Sequence, residues 1–274
     1  MNSLHTVEKV FEGIQTAKSG ARDFRTNFFP VPSKLQAWIA RDELLGVVRD
    51  GVAFFFRKDR DFWHFYYCAA SLTALRREAV TLNELRSEPM VTDILGNESA
   101  IGDIMAVLQE VGFRHHARLQ RMSRAAWPGN PQSAPGNVEV VCAEKASCQA
   151  ILNLIESEFD CYAEQLPRLC DVESAAEQGR ILTVKLNDQI GGLLFFETQG
   201  QASTIRYWVV EERYRAFRIG STLMLHYLAT QKDARRFTLW VNANNEKAIR
   251  KYRHYGYACD GLLDLVLANR MIPS

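Results

Sequence analysis

The chain has 274 residues, 47% of them hydrophobic and 24% charged, with a formal net charge of +1. This composition predicts a soluble globular protein of one large or two ordinary domains, and the near-neutral charge argues against general attraction to nucleic acid or acidic membranes. No apolar run reaches transmembrane length, no signal peptide opens the chain, and the six cysteines lack metal-binding spacing. We therefore expect a cytoplasmic protein with free thiols and no metal.

The first part of the chain predicts a mixture of helices and strands. Apolar residues recur at helical spacing in three segments, residues 6–18, 72–85 and 99–110. Strands are predicted at residues 44–48, 52–56, 62–68, 91–95 and 113–122. Residues 127–137 follow, and their prolines and glycines can continue neither a helix nor a central strand. We interpret residues 1–126 as one domain and residues 127–137 as a linker.

The second part, residues 138–274, predicts another mixed domain. Its predicted helices lie at residues 146–159, 169–178, 219–228 and 244–255. Its predicted strands lie at residues 138–141, 180–186, 190–197, 203–210 and 237–241, with a final hairpin over 257–270. This alternation predicts an α/β (α+β) fold with a mixed, mostly antiparallel sheet flanked by helices.

A short internal repeat links the two parts. Residues 97–101 (NESAI) match residues 245–249 (NEKAI). Each stretch follows a predicted strand and precedes a helix that ends in a glycine and an aromatic residue, at 112–113 and 256–257. The shared order of strand and helix predicts two lobes of the same architecture.

Residues 209–221 (VVEERYRAFRIGS) join a strand to a helix and carry three arginines. Backbone N–H groups at such a junction, near the positive end of a helix dipole, bind phosphate. The stretch Arg215-Ala-Phe-Arg-Ile-Gly220 resembles the (Arg/Gln)-x-x-Gly-x-(Gly/Ala) pyrophosphate loop of the GNAT superfamily of N-acetyltransferases. Arg218 stands where that pattern has its first glycine, so we expect an ordinary backbone conformation there.

The segment from residue 237 to 257 resembles the other GNAT signature. It has a predicted strand, then Asn245, Ala248 and Tyr252 in the pattern Asn-x-x-Ala-x-x-x-Tyr, then a Gly-aromatic pair. The resemblance covers residues 138–274 and, with the repeat, implies two GNAT-like lobes. The first lobe has no phosphate loop and no tyrosine at the position of Tyr252, which implies a degenerate lobe.

The resemblance implies acetyl-CoA as co-substrate. Its pantetheine arm would pair with backbone groups of Trp208, Val209 and Val210, and an N–H near Val209 would polarise the thioester carbonyl. Its pyrophosphate would lie on Arg215, Ala216, Phe217, Arg218, Ile219, Gly220 and Ser221. Asn245 would either touch the arm or cap the following helix.

Tyr252 matches the position from which family members protonate the leaving sulfur, although a core aromatic residue is the alternative. No motif specifies the general base. Glu197, at the end of the strand before the phosphate-loop strand, is the first candidate. Tyr207 and Glu164 are the others, and the resemblance places residues 160–165 in a substrate-facing loop. A water relay without a dedicated base is a further alternative.

The leading hypothesis is an acetyl-CoA- or acyl-CoA-dependent N-acyltransferase acting on a primary amine of a small molecule, amino acid or peptide. One alternative is a non-catalytic acyl-CoA-binding or sensing module, because Arg218 replaces a glycine and the base is not evident. Another is a tRNA-dependent aminoacyl transferase with tandem GNAT-like lobes, against which the phosphate loop and the neutral charge argue. We expect no nucleic acid or membrane partner, and a homodimer is left open.

Overall fold

The computed structural model describes residues 2–82, 88–126, 138–187, 189–270 and 272. The chain forms two compact units, one of Met1–Leu119 with Gly261–Ser274 and one of Gln120–Asp260. Each unit has a mixed, mostly antiparallel sheet flanked by helices, as the sequence predicts. The predicted linker, residues 127–137, lies outside the described residues.

The helices of the first unit are α1 (Val7–Lys18), α2 (Pro32–Ala40), α3 (Leu72–Ala79) and α4 (Glu98–Glu110). Its strands are β1 (Asn2–Ser3), β2 (Arg25–Thr26), β3 (Leu44–Arg49), β4 (Val52–Asp59), β5 (Phe62–Ala69) and β6 (Met90–Gly96). Three of these helices have side-chain N-caps. Thr6 caps α1, Ser71 caps α3 and Asn97 caps α4, and each side chain accepts a hydrogen bond from an N–H of the first turn.

Strands β3, β4 and β5 form an antiparallel meander, and β5 then pairs with β6 in parallel. One face of this sheet packs on α3 and α4 around Phe54, Phe65 and Leu108. The opposite face packs on α1 and α2 around Phe55 and Leu35. Because both faces are covered, every residue of β5 is buried.

The last strand of the chain, β13 (Ala258–Ala268), runs without a break where the sequence predicts a hairpin. Gly261 has a positive φ of 86°, but the strand continues past it. Residues 263–268 pair antiparallel with residues 91–96 of β6. This long-range pairing places residues 261–274 in the first unit, whereas the sequence assigned them to the second lobe.

The second unit begins in the last part of β7 (Arg114–Ala125). Its helices are α5 (Cys148–Glu158), α6 (Leu169–Glu177), α7 (Ile219–Thr230) and α8 (Glu246–His254), with 3₁₀ turns at Lys145–Ser147 and Glu212–Phe217. Its further strands are β8 (Val141–Cys142), β9 (Ile181–Leu186), β10 (Gln189–Gln199), β11 (Ala202–Val210) and β12 (Arg236–Asn242).

The sheet of the second unit has the order β8-β9-β10-β11-β12-β7. Among the pairings from β8 to β12, the one between β11 and β12 is parallel and the others are antiparallel. Helices α7 and α8 cover one face, where Leu223 and Ile249 are buried. Helices α5 and α6 cover the other, where Ile151 and Val172 are buried. In the described part of the chain, no helix has the length and apolar character needed to cross a membrane.

A buried polar cluster lies in the first unit where β4 turns into β5. His64 is 1% exposed, and its Nε2 lies 3.2 Å from Asp59 Oδ2. Arg57 and Arg60 also bond this carboxylate, at 2.7 and 3.0 Å. Burial, together with the positive charge of Arg57, lowers the pKa of His64 to about 4 despite the opposing carboxylate. His64 is therefore neutral near pH 7 and donates Nε2–H to Asp59.

This cluster predicts acid sensitivity of the first unit. Because the unfolded chain binds a proton at His64 near pH 6.5 and the folded chain only near pH 4, stability should fall as the pH drops through that window. The loss should be about 2 kcal/mol between pH 7 and pH 5, and about 3 kcal/mol in total once the pH is below the folded-state pKa. Urea unfolding at pH 7 and pH 5 measures it, with His64→Gln as the variant that should flatten the dependence. An NMR titration placing the His64 pKa near 6.5 would contradict the expectation.

Candidate active site

The second unit contains a gap between its two parallel strands. β11 pairs with β12 at only four positions, residues 202–205 with 236–239. Both strands continue beyond that point, β11 to Val210 and β12 to Asn242. Among the described residues, β11 has only β10 and β12 as neighbours in the sheet. One edge of residues 206–210 therefore faces no strand. Val210 O accepts a hydrogen bond from Arg215 Nε at 3.4 Å, and the backbone groups of Trp208 are open to a ligand.

A β-bulge at Arg206 lies where the parallel pairing ends. Phe195 pairs with Tyr207 but Phe196 pairs with Ile205, which leaves Arg206 as the extra residue. The bulge reverses the alternation of side chains, so Ile205 packs beside α7 and α8 while Tyr207 packs beside α5 and α6. Trp208 consequently faces the α7–α8 side. The regular alternation of the sequence would have placed Ile205 and Tyr207 on one face.

The backbone of Val209 does not face the gap, contrary to the sequence-based prediction. The Glu211 N–H bonds Gly191 O at 3.0 Å, and Val209 is in register with Leu193 of β10. Because backbone groups in a strand alternate in direction, the Val209 N–H points toward β10, as the Glu211 N–H does. The groups that face the gap belong to Trp208 and Val210.

The predicted phosphate loop forms a 3₁₀ turn, Glu212–Phe217, that leads through Arg218 into α7. The turn carries Arg215, Ala216 and Phe217 on its exposed side. The first bond within α7 joins the Thr222 N–H to Arg218 O at 3.1 Å. The N–H groups of Ile219, Gly220 and Ser221 precede this bond and are oriented for an anion.

Arg218 adopts a left-handed conformation, with φ 58° and ψ 16°. The expectation of an ordinary conformation was wrong, because the chain must reverse between the 3₁₀ turn and α7 at this residue. The GNAT pattern has glycine here, which adopts this conformation without strain. The arginine adopts this conformation at a strain of roughly 1–2 kcal/mol.

Three glycines that pack tightly set the position of the loop against the sheet. A Cβ at Gly192 of β10 would lie 2.8 Å from Ile219 Cγ2 and 3.0 Å from Val209 O. A Cβ at Gly191 would lie 3.1 Å from Ile219 Cδ1, and one at Gly220 would lie 3.2 Å from Trp208 Cζ2. Gly191 and Gly192 belong to no recognised motif, although paired glycines inside a strand signal close approach of another segment.

Basic side chains from α8 gather beside the loop. The pKa of Lys251 is lowered by partial burial and by the positive charges of Lys247 and Arg215, so the three cations lie near one another. Arg215 also contacts Glu158 at 3.4 Å and Glu212 at 3.6 Å. An excess of positive charge at a helix N-terminus favours a polyanionic ligand.

Tyr252 lies on α8 next to the gap. Its ring centroid is 5.4 Å from that of Trp208 and 6.1 Å from that of Tyr257. The residue is 8% exposed. Among the described residues, Trp208 Nε1 and Tyr257 Oη are buried and have no hydrogen-bond partner. The Tyr252 hydroxyl does not belong to this group. Burial, with the negative charge of Glu164 adding to it, raises the pKa of Tyr252, which keeps the phenol protonated.

The loop between α5 and α6 is held on β11 by Tyr207. The Tyr207 hydroxyl donates to Gln165 O at 3.1 Å and lies 3.4 Å from Glu164 O. Ala163 and Leu166 are buried on either side of Glu164, and Gln165 has a positive φ of 46°. Tyr207 therefore acts through its hydroxyl as a support for the loop. Such anchoring holds the half-buried Glu164 in a defined position.

Glu164 has the perturbed acidity expected of a functional carboxylate. Burial raises its pKa to about 7, with Asp160 adding to the shift and Arg206 opposing it. Glu197, the first candidate from the sequence, is also half-buried. Its negative charge acts on Arg206 and Tyr207, whereas Glu164 is the carboxylate whose charge acts on Tyr252.

Asn245 caps α8. Its Oδ1 accepts a hydrogen bond from the Ala248 N–H at 3.0 Å. Asn97, at the repeated position in the first unit, caps α4 through Ala100 with the same length. The repeated asparagine is thus explained by helix capping in both units.

The second unit thus has a sheet that opens beside a bulge, and a loop with N–H groups at the start of the following helix. The family model described as "Acetyltransferase (GNAT) family" matches residues 148–257. The chain therefore contains a GNAT acetyltransferase domain at those residues. A search of curated proteins found no match.

Solved structures resemble the chain over most of its length. A tandem GNAT protein from the clavulanic acid biosynthesis pathway has a TM-score of 0.64 at 11% identity, covering 98% of this chain and 96% of that one. A GCN5-related N-acetyltransferase from Kribbella flavida has a TM-score of 0.59 at 14% identity, covering 88% and 94%. One from Sphaerobacter thermophilus has 0.58 at 14% identity, covering 83% and 81%. These likenesses establish the fold, including its two lobes.

Proposed function

We propose that the protein is an acetyl-CoA-dependent N-acetyltransferase whose acceptor is a primary amine. The observation that carries the proposal is the edge of residues 206–210 that faces no strand, together with the start of α7, where Gly220 lies against Trp208 and Val210. A pantetheine amide can pair with the backbone of Trp208 and Val210, while the pyrophosphate binds residues 219–221. Lys247 and Lys251 supply further positive charge for a phosphate of the nucleotide.

The loop geometry fits coenzyme A. Its N–H groups can approach a pyrophosphate because Gly191, Gly192 and Gly220 let α7 lie directly on β10 and β11. The Arg218 backbone has a left-handed conformation, which glycine adopts without strain, so arginine and glycine can both follow this path of the loop. This fit argues against the reading of Arg218 as a sign of a lost site.

Glu164 is our candidate for the general base. Acetyl-CoA supplies an activated acyl group, and the acceptor must attack as a neutral amine. With a pKa of about 7, Glu164 is partly ionised at neutral pH and basic enough to receive a proton from an ammonium or from the attacking amine. Asp160, whose negative charge also acts here, would attract the cationic form of the acceptor. The pair favours a cationic amine over a neutral or anionic acceptor.

Tyr252 is our candidate for the general acid. Its phenol begins protonated, and Glu164 contributes to holding it so. Once Glu164 has accepted a proton, its negative charge is gone and the pKa of Tyr252 falls. Proton uptake at the base therefore strengthens the acid at the moment when the sulfur leaves. The two residues act in sequence through their electrostatic coupling.

Calorimetry with acetyl-CoA, followed by a thiol-release assay over a panel of primary amines, tests the proposal. We expect saturable binding and thiol release that depends on the amine, greatest for amines that are cationic. Failure to bind acetyl-CoA at high micromolar concentration would remove the proposal. Binding without release across the panel would favour the non-catalytic sensing module instead.

The substitution Gly192→Ala tests the role of the glycines. The new Cβ would press on the stiff, β-branched Ile219 and on a backbone oxygen, so α7 should move away from the sheet. We expect about tenfold weaker binding of acetyl-CoA by calorimetry and a loss of roughly 1–3 kcal/mol in stability.

The matched control is Gly102→Ala on α4. A Cβ there would have no atom within 4 Å, and the backbone is helical. This change should raise stability by about 0.5–1 kcal/mol and leave acetyl-CoA affinity as it was. Equal affinities for the two variants would contradict the proposed role of Gly192.

A further inference from the structure

The first unit contains a gap of the same kind as the proposed cofactor gap. β5 pairs in parallel with β6 only at Trp63 and His64, although β5 continues to Ala69. In the second unit the corresponding parallel pairing ends at Ile205 of β11. Tyr67 lies three residues beyond the last parallel pair, as Trp208 does when the bulge residue Arg206 is counted.

This gap of the first unit is filled by the chain itself. Residues 25–28, which we call the strap, lie between α1 and α2 and follow the free edge of β5. Strand β2 pairs antiparallel with residues 68–69. The Asn27 N–H then donates to Tyr67 O at 3.3 Å, and Thr26 Oγ1 donates to the same oxygen at 2.8 Å.

The side chain of Asn27 bridges the two sides of the gap. Its Oδ1 accepts from the Tyr67 N–H at 2.7 Å, and its Nδ2 lies 3.3 Å from Phe65 O on β5. The same Nδ2 lies 3.0 Å from Thr92 Oγ1 and 2.9 Å from Asp93 O on β6. Asn27 is 4% exposed. Its amide therefore satisfies backbone groups that would otherwise be open on both strands.

The corresponding segment of the second unit is arranged differently. There the connection between α5 and α6 is tied to β11 through the Tyr207 hydroxyl and leaves the edge of Trp208 and Val210 without a strand. A carboxamide offers the same C=O and N–H as a pantetheine amide. In the first unit, the Asn27 carboxamide bonds the Tyr67 N–H, which faces its gap as the Trp208 N–H faces the other.

We propose that the strap permanently takes the place of a pantetheine arm in the first unit, with Asn27 as its anchor, so that the chain binds a single acyl-CoA. The closure of the gap is independent of the proposed function, whereas the count of one site rests on it. The first lobe is thus closed by its own residues, in addition to lacking a phosphate loop.

Amide hydrogen exchange on the full chain, read by NMR with and without excess acetyl-CoA, tests the closure. Without ligand, the Tyr67 amide should exchange at least about 100-fold more slowly than the Trp208 amide, since only Tyr67 has a buried partner. Acetyl-CoA should protect Trp208 and leave Tyr67 unchanged. Tyr67 exchange as fast as that of Trp208, or Tyr67 protection on adding acetyl-CoA, would overturn the proposal.

The two proposals fail in different ways. A protected Tyr67 together with a Trp208 that does not respond to acetyl-CoA would leave the strap in place and remove the cofactor site. Calorimetry should give one equivalent of acetyl-CoA per chain. Binding of a second equivalent would contradict the proposal that the strap closes the gap of the first unit.

The near-isosteric variant Asn27→Asp tests the anchor. In this variant a carboxylate oxygen replaces the Nδ2 donor, which lies near three oxygen atoms, so the hydrogen bonds to β6 are lost. The exchange rate of the Tyr67 amide should therefore increase about 10–100-fold. The control Thr92→Val removes one of the bonds to Asn27 and should change Tyr67 exchange by less than about tenfold. Equal exchange in wild type and Asn27→Asp would show that Asn27 does not hold the strap. If Asn27→Asp does not fold, the wild-type exchange rates decide the matter.

Discussion

Replacing Tyr252 with phenylalanine should lower kcat about 10²–10⁴-fold while leaving KM for acetyl-CoA within about threefold. The ring stays in its contacts with Trp208 and Tyr257, so the gap keeps its shape. Only the proton donor is lost, and a phenylalanine cannot protonate a leaving thiolate. Steady-state kinetics of thiol release at saturating amine provide the measurement.

The control for this result is Tyr255→Phe. Tyr255 also packs on Trp208, with ring centroids 5.9 Å apart, and it is the C-cap residue of α8, three residues after Tyr252. We expect its kcat to change less than about threefold. If Tyr252→Phe kept full activity, Tyr252 would be the core aromatic residue that the sequence offered as the alternative.

Replacing Glu164 with glutamine should lower kcat/KM about 10²–10⁴-fold and remove a limb from its pH profile. For the wild type, kcat/KM should rise as the pH increases through about 7, because Glu164 must be ionised to accept a proton. Glutamine keeps the shape of the side chain and its contacts in the loop. The pH profile of each protein, measured with one amine of known pKa, checks this expectation.

The same substitution should stabilise the protein above pH 7. The folded state raises the pKa of Glu164 from 4.5 to about 7, so ionising it there opposes folding. Removing the charge should add about 1–2 kcal/mol at pH 8, since solvent screens part of the shift at a half-buried group. A purely structural carboxylate would lose stability on substitution, so lower activity with higher stability would identify a functional one.

Glu197→Gln is the matched comparison. Glu197 lies on β10, opposite Thr204 of β11, and its negative charge acts on Arg206 and Tyr207. We expect a change in kcat/KM below about tenfold. If Glu197→Gln were inactive and Glu164→Gln active, the general base would be Glu197, the first candidate from the sequence.

Much of the fold was readable from local patterns. Spacing of apolar residues located α1, α4, α5 and α8, and aromatic runs located β4 and β5. The asparagine that begins α8 and the glycine that follows it bracket the helix that carries Tyr252. These features depend on residues within a few positions of one another, which is why sequence alone reveals them.

The base illustrates what local patterns omit. Glu164 and Glu197 are both glutamates near predicted loops, and nothing within a few residues of either distinguishes them. Burial of Glu164 and its position near Asp160, Arg206 and Tyr252 arise from contacts between distant segments. A perturbed pKa is a property of that environment, so only folded coordinates separate the two carboxylates.

By itself, then, the sequence determined the motif-bearing elements: an arginine-rich loop that enters α7, and an asparagine-capped helix with Tyr252. Tertiary structure alone decided which backbone groups face the gap, because the bulge at Arg206 shifts the alternation of β11 by one residue. It also decided that β13 completes the pairing of β6 and that Asn27 closes the first gap. The physical reason is that hydrogen bonds between strands join residues far apart in sequence, where no local spacing records the partner.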